Sequence, residues 1–149
     1  MEHPAQTPET QHACRFCQII RGEIPSAIVF EDDTSLAFLD RRPLFPGHCL
    51  LVPKVHVETL ADLPAPLVAP LFQNAQRIER AIEERLQADG TFVAINNRVS
   101  QSVPHLHIHL VPRHKKDGLK GFFWPRTPYK DQETMLRFQT LLRSALMQP

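Results

Sequence analysis

Hydrophobic and polar positions alternate most strictly between Pro104 and His114, where His105, His107 and His109 recur at every second position with Leu106, Ile108 and Leu110 between them. Alternate side chains of a β-strand share a face, with same-face neighbours roughly 6 to 7 Å apart. A strand over Gln101 to Val111 therefore carries three imidazoles on one face and an apolar row toward the core on the other. The preceding β-branched and apolar run, Thr91 to Asn96, predicts a partner strand, with Asn97 to Ser100 as a tight loop. Upstream, Ala27 to Phe30 and Leu36 to Leu39 predict a hairpin around the turn-forming Glu31, Asp32 and Asp33, and a further strand runs from His48 to Pro53. The period then lengthens: Leu71, Ala75, Ile78, Ile82 and Leu86 form one stripe of a helix from about Pro70 to Gln87, with Pro70 in its first turn and Gly90 at its end. A last helix starts near Asp131, with Met135, Phe138, Leu142 and Leu146 on one side.

Short returns between neighbouring strands favour antiparallel pairing, so the predicted class is α+β: an antiparallel sheet, a long helix packed on it and a C-terminal helix. Residues 1–12 are polar, contain Pro4 and Pro8, and are expected to form a disordered tail, leaving 13–149 as one domain. The run from Lys115 to Lys130 holds Phe122, Phe123, Trp124 and Tyr129 among glycines and prolines, an aromatic loop expected to cover the core.

Charge narrows the function classes. Seventeen basic against 16 acidic residues give a formal charge of +1, which argues against a nucleic-acid-binding surface. No apolar run approaches the roughly 20 residues of a membrane span, and the first residues lack the pattern of a signal peptide, so a cytoplasmic protein is expected. Cys14, Cys17 and Cys49 are too few and too unevenly spaced for a disulfide scaffold. Cys14 and Cys17 form a C-x-x-C pair, a spacing that suits a shared tetrahedral metal, two reduced buried thiols or, less readily, a redox pair. Three imidazoles on one strand face point to proton transfer, metal ligation or nucleophilic attack.

The blocks CRFCQIIRGEIPSAIVFEDD, AFLD, PGHCLLVPK and QSVPHLHIHLVPRH, taken in this order, resemble the histidine triad family of nucleotide hydrolases and nucleotidyl transferases. The resemblance implies a small α+β domain, commonly a homodimer, that attacks the α-phosphorus of a purine nucleotide or nucleotide adduct and passes through a nucleotidyl-histidine intermediate. It makes His107 the nucleophile, His109 the group at the α-phosphate and leaving group, and His48 a support of the imidazole network. Asn97, Gln101 and Ser102 would meet the phosphate, Asp40 the ribose hydroxyls, and Phe16, Ile19, Phe38 and Leu39 the base. A bacterial branch of the family completes a structural zinc site, and the matching residues are Cys14, Cys17, His56 and His105. One stretch departs from the pattern. The segment NNRVSQ, Asn96 to Gln101, is short and lacks the glycines that the family usually places there, leaving backbone donors of glycine's conformational range unassigned. Two other readings stand beside the enzyme: a nucleotide-binding protein without turnover, and a metal enzyme in which His105, His107 and His109 ligate one ion.

Overall fold

The computed structural model describes residues 13–119 and 126–147. The predicted tail over 1–12 and the aromatic residues Phe122, Phe123 and Trp124 lie outside this range. The chain divides into two compact units, residues 1–117 and 118–149.

The first unit opens with helix α1, Arg15–Ile20. Strands β1 (Ile28–Glu31), β2 (Ser35–Leu39) and β3 (Cys49–Pro53) follow. A 3-10 turn at Leu60–Asp62 leads into the long helix α2, Ala65–Leu86, and then β4 (Gly90–Ala94) and β5 (Ile108–Arg113). The five strands form one antiparallel sheet in the order β1-β2-β3-β5-β4. Strand alternation sorts the side chains onto two faces. Ala37, Cys49, Leu51, Ile108 and Leu110 pack against Leu71, Ala75, Ile78 and Ile82 of α2. Leu36, Phe38, Leu50 and Val52 on the other face pack against Phe16 and Ile19 of α1.

Three predicted boundaries move. Helix α2 begins at Ala65, about five residues before the expected start, because Pro66 takes the first-turn position and Pro70 sits inside the helix, near enough to the N-terminus to forfeit only one backbone bond. Its end is marked by Gln87 in the left-handed region (φ 53°), while Gly90 opens β4. The histidine strand begins at Ile108 instead of Gln101. Its pairing with β3 ends at Leu51↔Ile108, and Leu106 N donates to the Val57 carbonyl at 2.7 Å, so the extended chain leaves the sheet with its alternation kept. Leu106 and Ile108 remain fully buried.

A polar clip fastens α2 to the β1–β2 turn. Buried Asn74 donates from Nδ2 to Asp32 Oδ2 at 2.6 Å and to Ser35 Oγ at 2.8 Å. Burial acts to raise the Asp32 carboxyl, but the bonds from Asn74, Thr34 and Ser35 outweigh it and hold it near 2. The second unit contains helix α3, Gln132–Leu146, whose N-cap Asp131 accepts from Thr134 N at 2.7 Å. Tyr129 meets Phe138 of this helix, ring centroids 5.8 Å apart. Among the described residues no helix is long and apolar enough to cross a membrane.

Candidate active site and metal cluster

Backbone groups set the state of each imidazole, because an amide N–H only donates and a carbonyl only accepts. His107 Nδ1 lies 2.8 Å from the His105 carbonyl, so the proton of the neutral ring sits on Nδ1 and Nε2 keeps its lone pair. The Leu44 amide donates to His48 Nδ1 at 3.2 Å, so the neutral His48 ring carries its proton on Nε2. That proton is donated to His109 Nδ1, 3.0 Å away, which leaves the His109 proton on Nε2. One accepting and one donating nitrogen result, on neighbouring rings whose centroids are 4.8 Å apart.

Burial keeps these rings neutral. It pushes His48, His107 and His109 below the ordinary imidazole range, His109 to about 4 with repulsion from His107 and His48 added. The loop that supplies the Leu44 amide is closed by the His48 N to Phe45 O bond at 3.1 Å. Gly47 permits it: its φ is 95°, a backbone conformation that residues with a Cβ rarely adopt, and a Cβ there would meet Leu86 Cδ1. Across the same hairpin end, Asp40 N donates to the His48 carbonyl, and Asp40 Oδ2 lies 3.9 Å from His48 Nδ1.

Phe16, Ile19, Phe38, Leu39, Asp40, Ser102, His107 and His109, all named from the sequence, line one cleft of about 850 Å³. The Phe16 ring stands edge-on to His107 at 5.2 Å. His48 lies behind His109. Asn97 and Gln101 are placed outside the cleft lining. Asn97 Oδ1 accepts from Leu60 N at 2.9 Å; Gln101 Oε1 accepts from Arg98 N at 2.7 Å and its Nε2 donates to the Glu58 carbonyl at 2.7 Å. The reason lies in the glycine-free loop: Arg98 (φ 68°) and Ser100 (φ 59°) both adopt left-handed backbone, which costs a residue with a Cβ about 1–2 kcal/mol, and the Gln101 side chain braces that turn. Sequence reasoning missed Arg15, Arg41, Arg42 and Val103 in the lining. Two of these follow Asp40 directly, which was the available signal. The Leu44 amide had none, since any residue but proline supplies an N–H.

A second cluster lies on the other side of Phe16. Cys14 and Cys17 bracket the first turn of α1. His105 Nδ1 is 3.5 Å from Cys14 Sγ and 3.6 Å from Cys17 Sγ, and His56 Nδ1 is 3.2 Å from Cys17 Sγ. His105 donates from Nε2 to the Pro53 carbonyl at 2.8 Å, so its Nδ1 lone pair faces the sulfurs. All four donor atoms lie within 4.8 Å of one another, and two thiols with two imidazoles form a donor set suited to a tetrahedral metal ion. Burial, with Cys14 beside it, raises the Cys17 thiol to about 12, so a metal must displace its proton to bind there. The triad does not converge on one ion: His105 belongs to the cysteine cluster, whereas His109 groups with Asp40 and His48.

A five-stranded α+β domain carrying this imidazole pair in a cleft is a histidine triad protein. The HIT domain model matches residues 21–116, and the chain belongs to the HIT family, a superfamily of nucleotide-binding hydrolases and transferases. Among its relatives, "Protein hit" of Bacillus subtilis is 40% identical over 113 residues, covering 74% of this chain and 78% of that protein. Adenosine 5'-monophosphoramidase HNT1 of Saccharomyces cerevisiae is 40% identical over 117 residues, covering 76% and 70%. The crystal structure of a zinc-bound histidine triad family protein from Mycobacterium smegmatis superimposes with a TM-score of 0.70 at 38% identity, covering 91% of this chain and 99% of that one.

Proposed function

We propose that the protein cleaves a nucleoside 5'-phosphoryl adduct, a phosphoramidate or a dinucleoside polyphosphate, at the α-phosphorus through a nucleotidyl-His107 intermediate. The observation that carries the reading is the His107 tautomer: the His105 carbonyl holds Nδ1–H, so Nε2 presents a lone pair to the cleft that also holds Asp40 and His109. His107 Nε2 forms a bond to phosphorus as the bond to the leaving group breaks. The leaving group departs with that electron pair and takes up a proton from solvent, which the water of the second step returns, while His109 Nε2–H stabilises the charge developing on the bridging atom. Water then attacks phosphorus, expels Nε2 and releases the nucleoside monophosphate. Asp40 accepts the ribose hydroxyls, Phe16, Ile19, Phe38 and Leu39 surround the base, and Ser102 donates to the phosphate. Asn97 and Gln101 act on the phosphate through the loop they brace. The yeast relative's name, a monophosphoramidase, supports a P–N bond as the one cut.

Zinc is proposed at Cys14, Cys17, His56 and His105, supported by the donor set and by the zinc-bound mycobacterial relative. Four protein ligands close its coordination, so its contribution is structural. A homodimer is carried as part of the same reading, checked by sedimentation.

The test is a product-resolved assay against adenosine and guanosine phosphoramidates, diadenosine tri- and tetraphosphate and a nucleotide sugar. Wild type is expected to release a nucleoside monophosphate from at least one of them. His107→Ala is expected to lose turnover while retaining nucleotide binding, because only the covalent step is removed. Comparable activity in that variant would refute His107 as nucleophile, and nucleotide binding by the wild type without turnover would favour a binding protein.

A further inference from the structure

We propose that the mouth of the cleft holds a second anion subsite, formed by Arg15, Arg41 and Arg42, that takes a second phosphate group of the bound nucleotide. The inference rests on the nucleotide reading above and adds to it a preference for ligands that carry a second phosphate.

All three arginines line the cleft. Arg15 opens α1 beside Phe16, and Arg41 and Arg42 follow Asp40. None of them forms an ion pair with a described acid, whereas Arg21 is bonded to Glu23 and Arg113 to Asp117. Asp40 is the one carboxylate in the lining, and its Oδ1 already accepts from the Arg42 backbone N at 2.9 Å. The buried part of the lining is uncharged, with the neutral imidazoles of buried His107 and half-buried His109. Burial divides the lining by charge: it is neutral around His107 and His109, where a single phosphoryl group would lie, and at its exposed side it holds three arginines against the one carboxylate of half-buried Asp40. A nucleoside monophosphate held by the histidines leaves those cations with no acid paired to them among the described residues. A second phosphate compensates them, and the guanidinium fork matches phosphate geometry in two parallel hydrogen bonds. That group has two sources, a phosphate ester on the ribose that Asp40 contacts or a phosphoanhydride chain at the 5' end.

Calorimetric titration at low salt separates the two, with AMP, adenosine 3',5'-bisphosphate and the α,β-methylene analogue of ADP as probes. Wild type is expected to bind at least one two-phosphate ligand about tenfold more tightly than AMP, with the gain shrinking toward 0.5 M salt as the exposed guanidiniums are screened. In Arg41→Gln/Arg42→Gln the ratio is expected to fall to within about twofold of unity, and in Arg15→Gln to fall partway. A gain for the bisphosphate assigns the ribose ester, and a gain for the methylene analogue assigns the chain. Equal affinity for all three ligands, or a gain that survives the double substitution, overturns the subsite while AMP binding upholds the nucleotide reading. Failure of all three to bind the wild type overturns both.

Discussion

The chemistry of single residues turns on which ring nitrogen holds a proton, and in this protein the backbone decides it. The Leu44 amide donates to His48 Nδ1 and His48 Nε2 donates to His109 Nδ1, a chain running one way, while His107 is turned the other way by its own strand's carbonyl. Long-range ¹H–¹⁵N NMR near neutral pH is expected to find the proton on Nε2 of His48 and His109 and on Nδ1 of His107; a proton on Nδ1 of His109 would break the chain. His48→Ala removes the donor to His109 Nδ1 and is expected to lower kcat on the order of 10²-fold, with KM changed far less because His48 stands behind the cleft. The triad and Asp40 were legible in the sequence because they are side chains with a period or a motif. The amide at residue 44 was not, since its donor is common to nearly every residue. The turning away of Asn97 and Gln101 was hidden for a related reason: it answers the left-handed backbone at Arg98 and Ser100, which residue types alone do not announce.

At the scale of elements, alternation placed the three imidazoles on one face correctly even where it misplaced the strand end. Residues 105 to 107 keep the two-residue period after leaving the ladder, so the three imidazoles stay on the face opposite α2. Helix α2 was legible from its apolar stripe, its start was not, because Pro66 and Pro70 fit a first turn equally well by type. The Asn74 clip lay unseen on the polar side of that pattern. Asn74→Ala removes the donor to Asp32 Oδ2 and to the Oγ of fully buried Ser35, with an expected loss of about 1–3 kcal/mol at pH 7. Because the folded Asp32 carboxyl titrates near 2 against an ordinary 3.8, its contribution is fully present above about pH 4 and is lost as pH falls toward 2. Urea unfolding at pH 7 and pH 3 should show that acid loss reduced in Asn74→Ala; an unchanged loss would place the acid sensitivity elsewhere.

Over the whole first unit, the cysteine cluster joins parts of the chain far apart in sequence: α1, the segment after β3 and the approach to β5. A metal closing such long loops stabilises the folded state and orders the wall that carries Phe16. Protein purified without added metal is expected to hold one zinc per chain, to melt at a lower temperature after chelation, and to lose zinc in Cys17→Ala and His56→Ala but not in His107→Ala. Metal-free protein with unchanged melting would contradict the site. The central claim is covalent and is tested most directly by trapping. A phosphoramidate substrate should be mixed with the protein on a rapid-quench scale, stopped in alkali to protect the acid-labile P–N bond, digested and read by mass spectrometry. The account predicts a nucleoside monophosphoryl group on His107, absent from His107→Ala. Monophosphate production with ¹⁸O-water and inversion at a chiral α-phosphorus, with no adduct at any time, would contradict it by showing that water attacks the substrate directly.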